Sequence, residues 1–408
     1  MLKRESGWRH AALVASLLVI AALTLYPSSE SKLPPLLTCL FCGARGVADF
    51  IRNILLFVPF GLSLGLLGSR PRRIFLTGFV LSTAIEVAQL LIPGRDSSWS
   101  DVVSNSLGAV IGGLLAQTTL RIAAGGHVRH AKLVTLAVVA MPVAVALCTG
   151  FLLQPDFPVA REYGQWIPEY GEMPRYGGRI IDTRIGAIAI PDAPLRDGDS
   201  VRSLLARGDT LRILFLAGAK PPSLSPVFGI TDDHQRQLLL LEATGSDLVY
   251  WYRMRATSWH LEQPTLRLRR VTDAVRAGDT VLVLHWRKDA GECVAVMIPS
   301  TGARSTRCGF GLRASRGWSL LLYPGWFPPW ALRAIDFVWI LTLFLPLGFW
   351  VTGSVARWGW SCGVALVALG IAPHLNQLRP SPWDTWFAAA VGVLAGLGAR
   401  RIVLRQLR

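Results

Sequence analysis

Long apolar runs fill residues 11–153 and 334–399 of this chain, and a polar stretch of short alternating runs lies between them. Apolar runs of about 18 residues or more read as membrane helices. The pattern predicts eight, with bounds near Ala11–Tyr26, Asp49–Gly68, Ile74–Ile92, Asp101–Leu120, Leu133–Leu153, Ala334–Val351, Trp358–His374 and Asp384–Ala399. Basic residues precede the first run (Lys3, Arg4, Arg9), so it reads as a span or a cleaved leader. No small-x-small site stands before Pro27 and further spans follow, which favours an uncleaved span.

Between the apolar blocks the period changes from helical to two. Thr210–Leu216, Gln237–Glu242, Asp247–Arg255, Thr265–Val271 and Thr280–Arg287 alternate, with Gly, Asp and Ser at the turns between them. This predicts an all-β sandwich over residues 155–330. The fold class is therefore mixed: an α-helical polytopic bundle of about eight spans in two related groups, plus an all-β sandwich. The expected division is five spans in 1–154, the sandwich in 155–330 and three spans in 331–408.

Three spans carry polar residues that a lipid-facing helix would not hold. Asp49 and Asn53 are four apart and share a helix face, as do Ser82, Glu86 and Gln89. Asp101, Asn105, Gly108 and Gly112 step by four, three and four, forming one stripe. A carboxylate inside a span costs a few kcal/mol, so such groups face a bundle interior and mark a site. Asp49, Asn53, Glu86, Gln89, Arg95, Asp101 and Asn105 are the candidate ligand-binding set, with Glu86 and Asp101 as a candidate acid/base pair. The competing reading is a hydrogen-bond network that glues the helices. The Gly108/Gly112 pair reads as a close-packing surface and Pro59 as a bend.

Composition sharpens this picture. The 408 residues are 51% hydrophobic and carry a net charge of +16, with mean hydropathy +0.41. The basic residues of the apolar blocks sit in short loops, a topology signal; a nucleic-acid partner is not expected. With the N-terminus in the cytoplasm, Arg70, Arg72, Arg73, Arg121, Arg129, Lys132, Arg357 and the C-terminal arginines all fall inside. The expected place is the inner membrane, with the sandwich outside and both termini in the cytoplasm. Cys39, Cys42, Cys293 and Cys308 land outside too, where disulfides form. Cys293–Cys308 is the expected bond. Cys39–Cys42, a lone C-x-x-C, reads as redox-active, half a zinc site or a local disulfide. His234 and His285 have no partners at metal spacing, and Asp232–Asp233 reads as a turn, with calcium as the alternative. No metal and no cofactor is expected.

The chain also echoes itself. Asp336, Phe344, Pro346 and Gly348 repeat the spacing of Asp49, Phe57, Pro59 and Gly61, and the stretch from Asp384 to Gly396 echoes that from Asp101 to Gly113. Both copies run the same way, a parallel repeat. The second copy has Ile340, Gly370 and Ala388 where the first has Asn53, Glu86 and Asn105, which reads as a scaffold that lost its polar site.

These residues together resemble the VanZ family: D-x-x-x-N leading to F-x-P-x-G (Asp49, Asn53, Phe57, Pro59, Gly61), then E-x-x-Q (Glu86, Gln89), Arg95, and D-x-x-x-N-x-x-G-x-x-x-G from Asp101 to Gly112. The resemblance covers about residues 11–120. It implies a cell-envelope membrane protein; the family includes one linked to teicoplanin resistance. The stretch from Pro226 to Tyr250 is similar to concanavalin-like or laminin-G-type jelly rolls. The E-x-D-x-x-E strand of that fold's glucanases is missing, so a glycan- or protein-binding module is expected there. Three functions stay open: an envelope binding protein for a lipid-linked or cell-wall precursor or glycan, an enzyme on such a precursor, and a transporter. The sequence does not set the oligomeric state.

Overall fold

In the computed structural model, residues 2–27, 40–41, 43–95, 97–123, 131–171, 173–288, 291–310, 312–351 and 354–406 are described. Cys39 and Cys42 lie outside them. The first apolar block forms α1 (Leu2–Thr24), α2 (Gly46–Leu66), α3 (Pro71–Gln89), α4 (Trp99–Ala123) and α5 (Ala131–Leu152). Pro71 opens α3 at a position where its missing N–H costs nothing.

The central stretch holds β1 (Glu162–Trp166), β2 (Arg179–Ile185), β3 (Ile188–Ala189), α6 (Gly198–Arg207), β4 (Leu211–Leu216), β5 (Ser225–Asp232), β6 (Gln237–Thr244) and β7 (Asp247–Tyr252). The single turn α7 (Arg255–Ser258) and strands β8 (Leu266–Leu268), β9 (Thr280–Lys288), β10 (Gly291–Ile298) and β11 (Ala303–Phe310) complete it. They build two antiparallel sheets, ordered β1-β5-β6-β7-β8 and β11-β10-β9-β4-β2-β3. Val227, Ile230, Leu239, Leu241, Ile213, Val283 and Val294 fill the core between them. Cys293 is disulfide-bonded, and Cys308 is its register partner on β11.

The last block is α8 (Pro329–Trp350), α9 (Ser354–Ala365), a π-helical stretch Leu366–Ile371, α10 (Ala372–Leu375) and α11 (Trp383–Gln406). Pro373 has no N–H to give the carbonyl four residues back, and the helix widens into the π turn just before it.

Among the described residues, six helical segments are long and apolar enough to cross a membrane: those of α1, α2, α5, α8, α9 through α10, and α11. Helices α3 and α4 are as long but less apolar and lie outside that set; α3 holds Arg72 and Arg73 as well as Glu86. The chain is thus a multi-pass membrane protein with a β domain between its helical blocks.

The repeat is visible in the packing, pair by pair. Helix α2 lies along α4 and α8 along α11. A Cβ on Gly61, Gly108 or Gly112 would collide with the carbonyl oxygen of Ala109, Ile54 or Val58. On Gly348, Gly392 or Gly396 it would meet that of Val393, Leu341 or Leu345. Small residues let the helix backbones touch in both copies. This register corrects the sequence alignment of α11 by one residue: Gly392 and Gly396 stand for Gly108 and Gly112, so Thr385, not Asp384, occupies the place of Asp101.

Grouping in space also differs from grouping in sequence. Helix α5 packs on α8, α9 and α10, whereas the expected division set it with α1–α4. It plays toward α8 the part that α1 plays toward α2. The repeat unit is four helices, and the sandwich is an insertion between the first and second helices of the second unit.

Candidate functional site at the α2, α3 and α4 ends

The N-terminal turns of α2 and α4 and the C-terminal turn of α3 meet at one end of the first bundle. Asn105 donates to Ser82 Oγ (2.9 Å), and Ser82 donates to the Asp101 carbonyl (3.4 Å). The Glu86 carboxylate accepts the Ser98 backbone N–H at 2.7 Å and a bond from the Ser97 side chain. The Asp101 carboxylate hydrogen-bonds with Asn53 and sits within electrostatic reach of Glu86 and Arg52. Arg52 forms an ion pair with Asp49 one turn back on α2. Glu86 and Asn105 are 5% and 2% exposed, so both are held away from water. Burial of an unpaired polar atom is costly, yet Asn105 Oδ1 accepts no hydrogen bond from the described residues.

Five of the seven expected residues are thus gathered here: Asp49, Asn53, Glu86, Asp101 and Asn105. The other two serve α1. Gln89 donates to the Thr24 carbonyl (2.9 Å), and Arg95 to the carbonyls of Leu23 (2.7 Å) and Tyr26 (2.8 Å). A helix end leaves its last carbonyls without partners and carries partial negative charge. Arg95 therefore completes the end of α1, and the Glu86 carboxylate rests on backbone and serine donors. Arg52 was the residue missed; its signal was a guanidinium one turn after an acid in an apolar helix.

The sandwich roofs this end. The Ala48 N–H at the start of α2 donates to the His260 carbonyl (3.2 Å), and the His260 ring bonds the Gly43 carbonyl (3.0 Å). Glu262, 3% exposed, pairs with Arg45 at 3.3 Å and reaches Arg52 electrostatically. The first two turns of α2 are therefore tied to the segment that follows α7.

In the second copy, Asp336 stands where Asp49 stands in the first. Its carboxylate takes Arg316 (2.7 and 3.1 Å) and Trp318 Nε1 (2.8 Å), both from the turn below the sandwich. Ile340, Thr385 and Ala389 stand where the first copy has Asn53, Asp101 and Asn105, and residues of the inserted domain donate to the carboxylate instead.

Two polar groups of the sandwich read as structural. The Glu292 carboxylate holds His285 Nε2 (2.7 Å), Arg287 Nε (3.0 Å) and the Tyr252 hydroxyl (3.2 Å). Burial raises that carboxyl, but His285 and Arg287 outweigh it and hold it below the ordinary value. Asp232, Asp233 and His234 bring their donor atoms within 4.8 Å of one another. Both Asp232 oxygens, however, accept N–H groups of His234 and Arg236, as an Asx turn requires.

Helices, polar cluster and β domain define a polytopic membrane protein whose first bundle gathers buried polar side chains at one end. Residues 13–121 match the model of the VanZ/LLP1 family; they span most of α1–α4 and include all seven candidate residues. No curated protein and no solved structure matches the chain.

Proposed function

We propose that this is an inner-membrane cell-envelope protein that binds the polar end of a lipid-linked or cell-wall precursor at the outer leaflet. Both termini are cytoplasmic and the sandwich is exported. The sandwich is a jelly roll of the concanavalin-like kind that holds envelope glycan or protein near the bundle. The observation that carries this reading is Asn105: a buried amide oxygen without a donor among the described residues, beside two carboxylates and Arg52, at a bundle end covered by the sandwich. A network built only as glue has no use for an orphaned acceptor there.

The test is a pair of variants in the full chain, Glu86→Gln and Asp101→Asn. Each keeps the side-chain shape and removes a charge. The expected result is at least a tenfold loss of precursor binding to detergent-solubilised protein, at unchanged protein level and melting temperature. Loss of protein from the membrane instead would assign the cluster to bundle stability. The adjacency of Glu86 and Asp101 favours a second reading, acid/base catalysis on that precursor. Product formed by wild type and lost in both variants would distinguish it from binding alone.

A further inference from the structure

A cleft of about 290 Å³ opens where the sandwich meets the second bundle. Its walls include Leu153 just past the end of α5, Leu332 in the first turn of α8, and four arginines, Arg267, Arg269, Arg313 and Arg316. Among the described residues lining it none is acidic. We propose that this cleft binds a phosphate-bearing anion at the membrane surface, with Arg269 and Arg313 as the principal ligands.

The depth of the cleft comes from the helices. It lies between the exit of α5 and the entry of α8, two segments with the length and composition of membrane spans. Trp330, beside Leu332, is 70% exposed, as a tryptophan at the headgroup level would be. A ligand there meets lipid headgroups on one side and the sandwich on the other.

The charge is in surplus. Arg267 spends its charge on Asp247 (2.8 Å) and Arg316 on Asp336 (2.7 Å). Arg269 is exposed and, among the described residues, has no ion-pair partner. Arg313 is half-buried, and among the described residues its Nε has no hydrogen-bond partner. Burial and the neighbouring Arg316 hold the Arg313 guanidinium below its ordinary value, and Asp336 and Asp384 offset this only in part. Guanidinium forks match phosphate oxygens in pairs. The volume is close to the lower end of small-molecule sites, larger than a bare ion needs and suited to a headgroup. Basic pockets beside membrane helices take lipid phosphates by this chemistry.

The cleft also has a place in the repeat. It sits over the start of α8, as the carboxylate cluster sits under the sandwich at the start of α2. The segment from His260 to Arg267 reaches both ends: His260 and Glu262 bond to Gly43, Arg45 and Ala48 at the start of α2, and Pro264 to Arg267 line the cleft. The inserted domain has thus given the second unit a cationic site where the first has an anionic one. This inference needs only that α5 and α8 cross the membrane, so it stands or falls apart from the Glu86 and Asp101 reading.

The experiment uses the full chain in phosphatidylcholine nanodiscs with and without phosphatidic acid, with retained lipid counted by native mass spectrometry. Wild type is expected to keep phosphatidic acid over phosphatidylcholine. Arg269→Glu and Arg313→Gln should each lower that retention about tenfold, and Arg276→Glu, on an exposed loop, should not. Displacement of the lipid by inorganic phosphate supports the site with a soluble phosphate as its source; resistance to displacement supports a lipid. Equal loss in the Arg276 variant, no loss in either cleft variant, or no preference by wild type would overturn the proposal. Arg269 is on the surface, so its variant reports even if Arg313→Gln fails to fold.

Discussion

Single residues decide most at Glu242 and at the Glu86 cluster. Glu242, on β6, is 5% exposed, and burial pushes its carboxyl from 4.5 up to about 7. The folded value lies above the unfolded one, so the fold prefers the protonated form. That stability is fully present below about pH 4.5 and is lost as pH rises to about 7. Glu242→Gln should therefore flatten the fall in melting temperature between those limits, and at pH 8 stabilise the sandwich by up to about 3 kcal/mol. An unchanged pH profile of unfolding would mean the carboxylate finds a partner above pH 7. Most of the first-bundle cluster was readable from spacing, because Asp49/Asn53 and Asp101/Asn105 must share faces at four-residue steps. Gln89 and Arg95 were not: their partners are carbonyls of α1, which every residue carries and no sequence marks. The cleft arginines were hidden for a similar reason, being split between a strand segment and a turn far apart in the chain.

At the scale of elements, the glycines are the repeated feature. Gly61 and Gly348 each bring a helix against a neighbouring backbone carbonyl, Ala109 and Val393, where one extra methyl forces the helices apart. Overpacking of this kind costs about 1–3 kcal/mol. Gly61→Ala and Gly348→Ala should both lower the melting temperature in detergent, and Gly398→Ala, with open space at its Cα, should not. The Asp, Phe, Pro and Gly offsets made α2 and α8 recognisable as a pair. In α11 the aspartate misled: it is one residue out of step with its glycines, and packing follows the glycines. The π turn before Pro373 absorbs an irregularity that apolar periodicity alone does not show.

At the scale of the whole molecule, orientation is the open variable of the proposed function. Ser69, in the loop between α2 and α3, and Ser300, at the turn between β10 and β11, should lie on opposite sides of the membrane. In a background without other cysteines, Ser300→Cys should react with a membrane-impermeant maleimide in spheroplasts, and Ser69→Cys only after lysis. The reverse pattern would put the sandwich and both carboxylates on the cytoplasmic side. Apolar runs and alternation revealed the helical blocks and the β insertion, since burial in lipid and burial between sheets select different periods. They did not reveal that α5 belongs with α8–α11, because partner choice between apolar helices depends on small shape differences.

That membership of α5 has a consequence for how the chain can be divided. Helices α1–α4, and α5 with α8–α11, form two quartets that each close their own glycine-to-carbonyl pairing, and the chain passes from one to the other between α4 and α5. A gene cut there, with both pieces expressed in one cell, should yield fragments that find each other and co-purify. A cut after α5 would strand a helix from its quartet, and the downstream piece should be degraded.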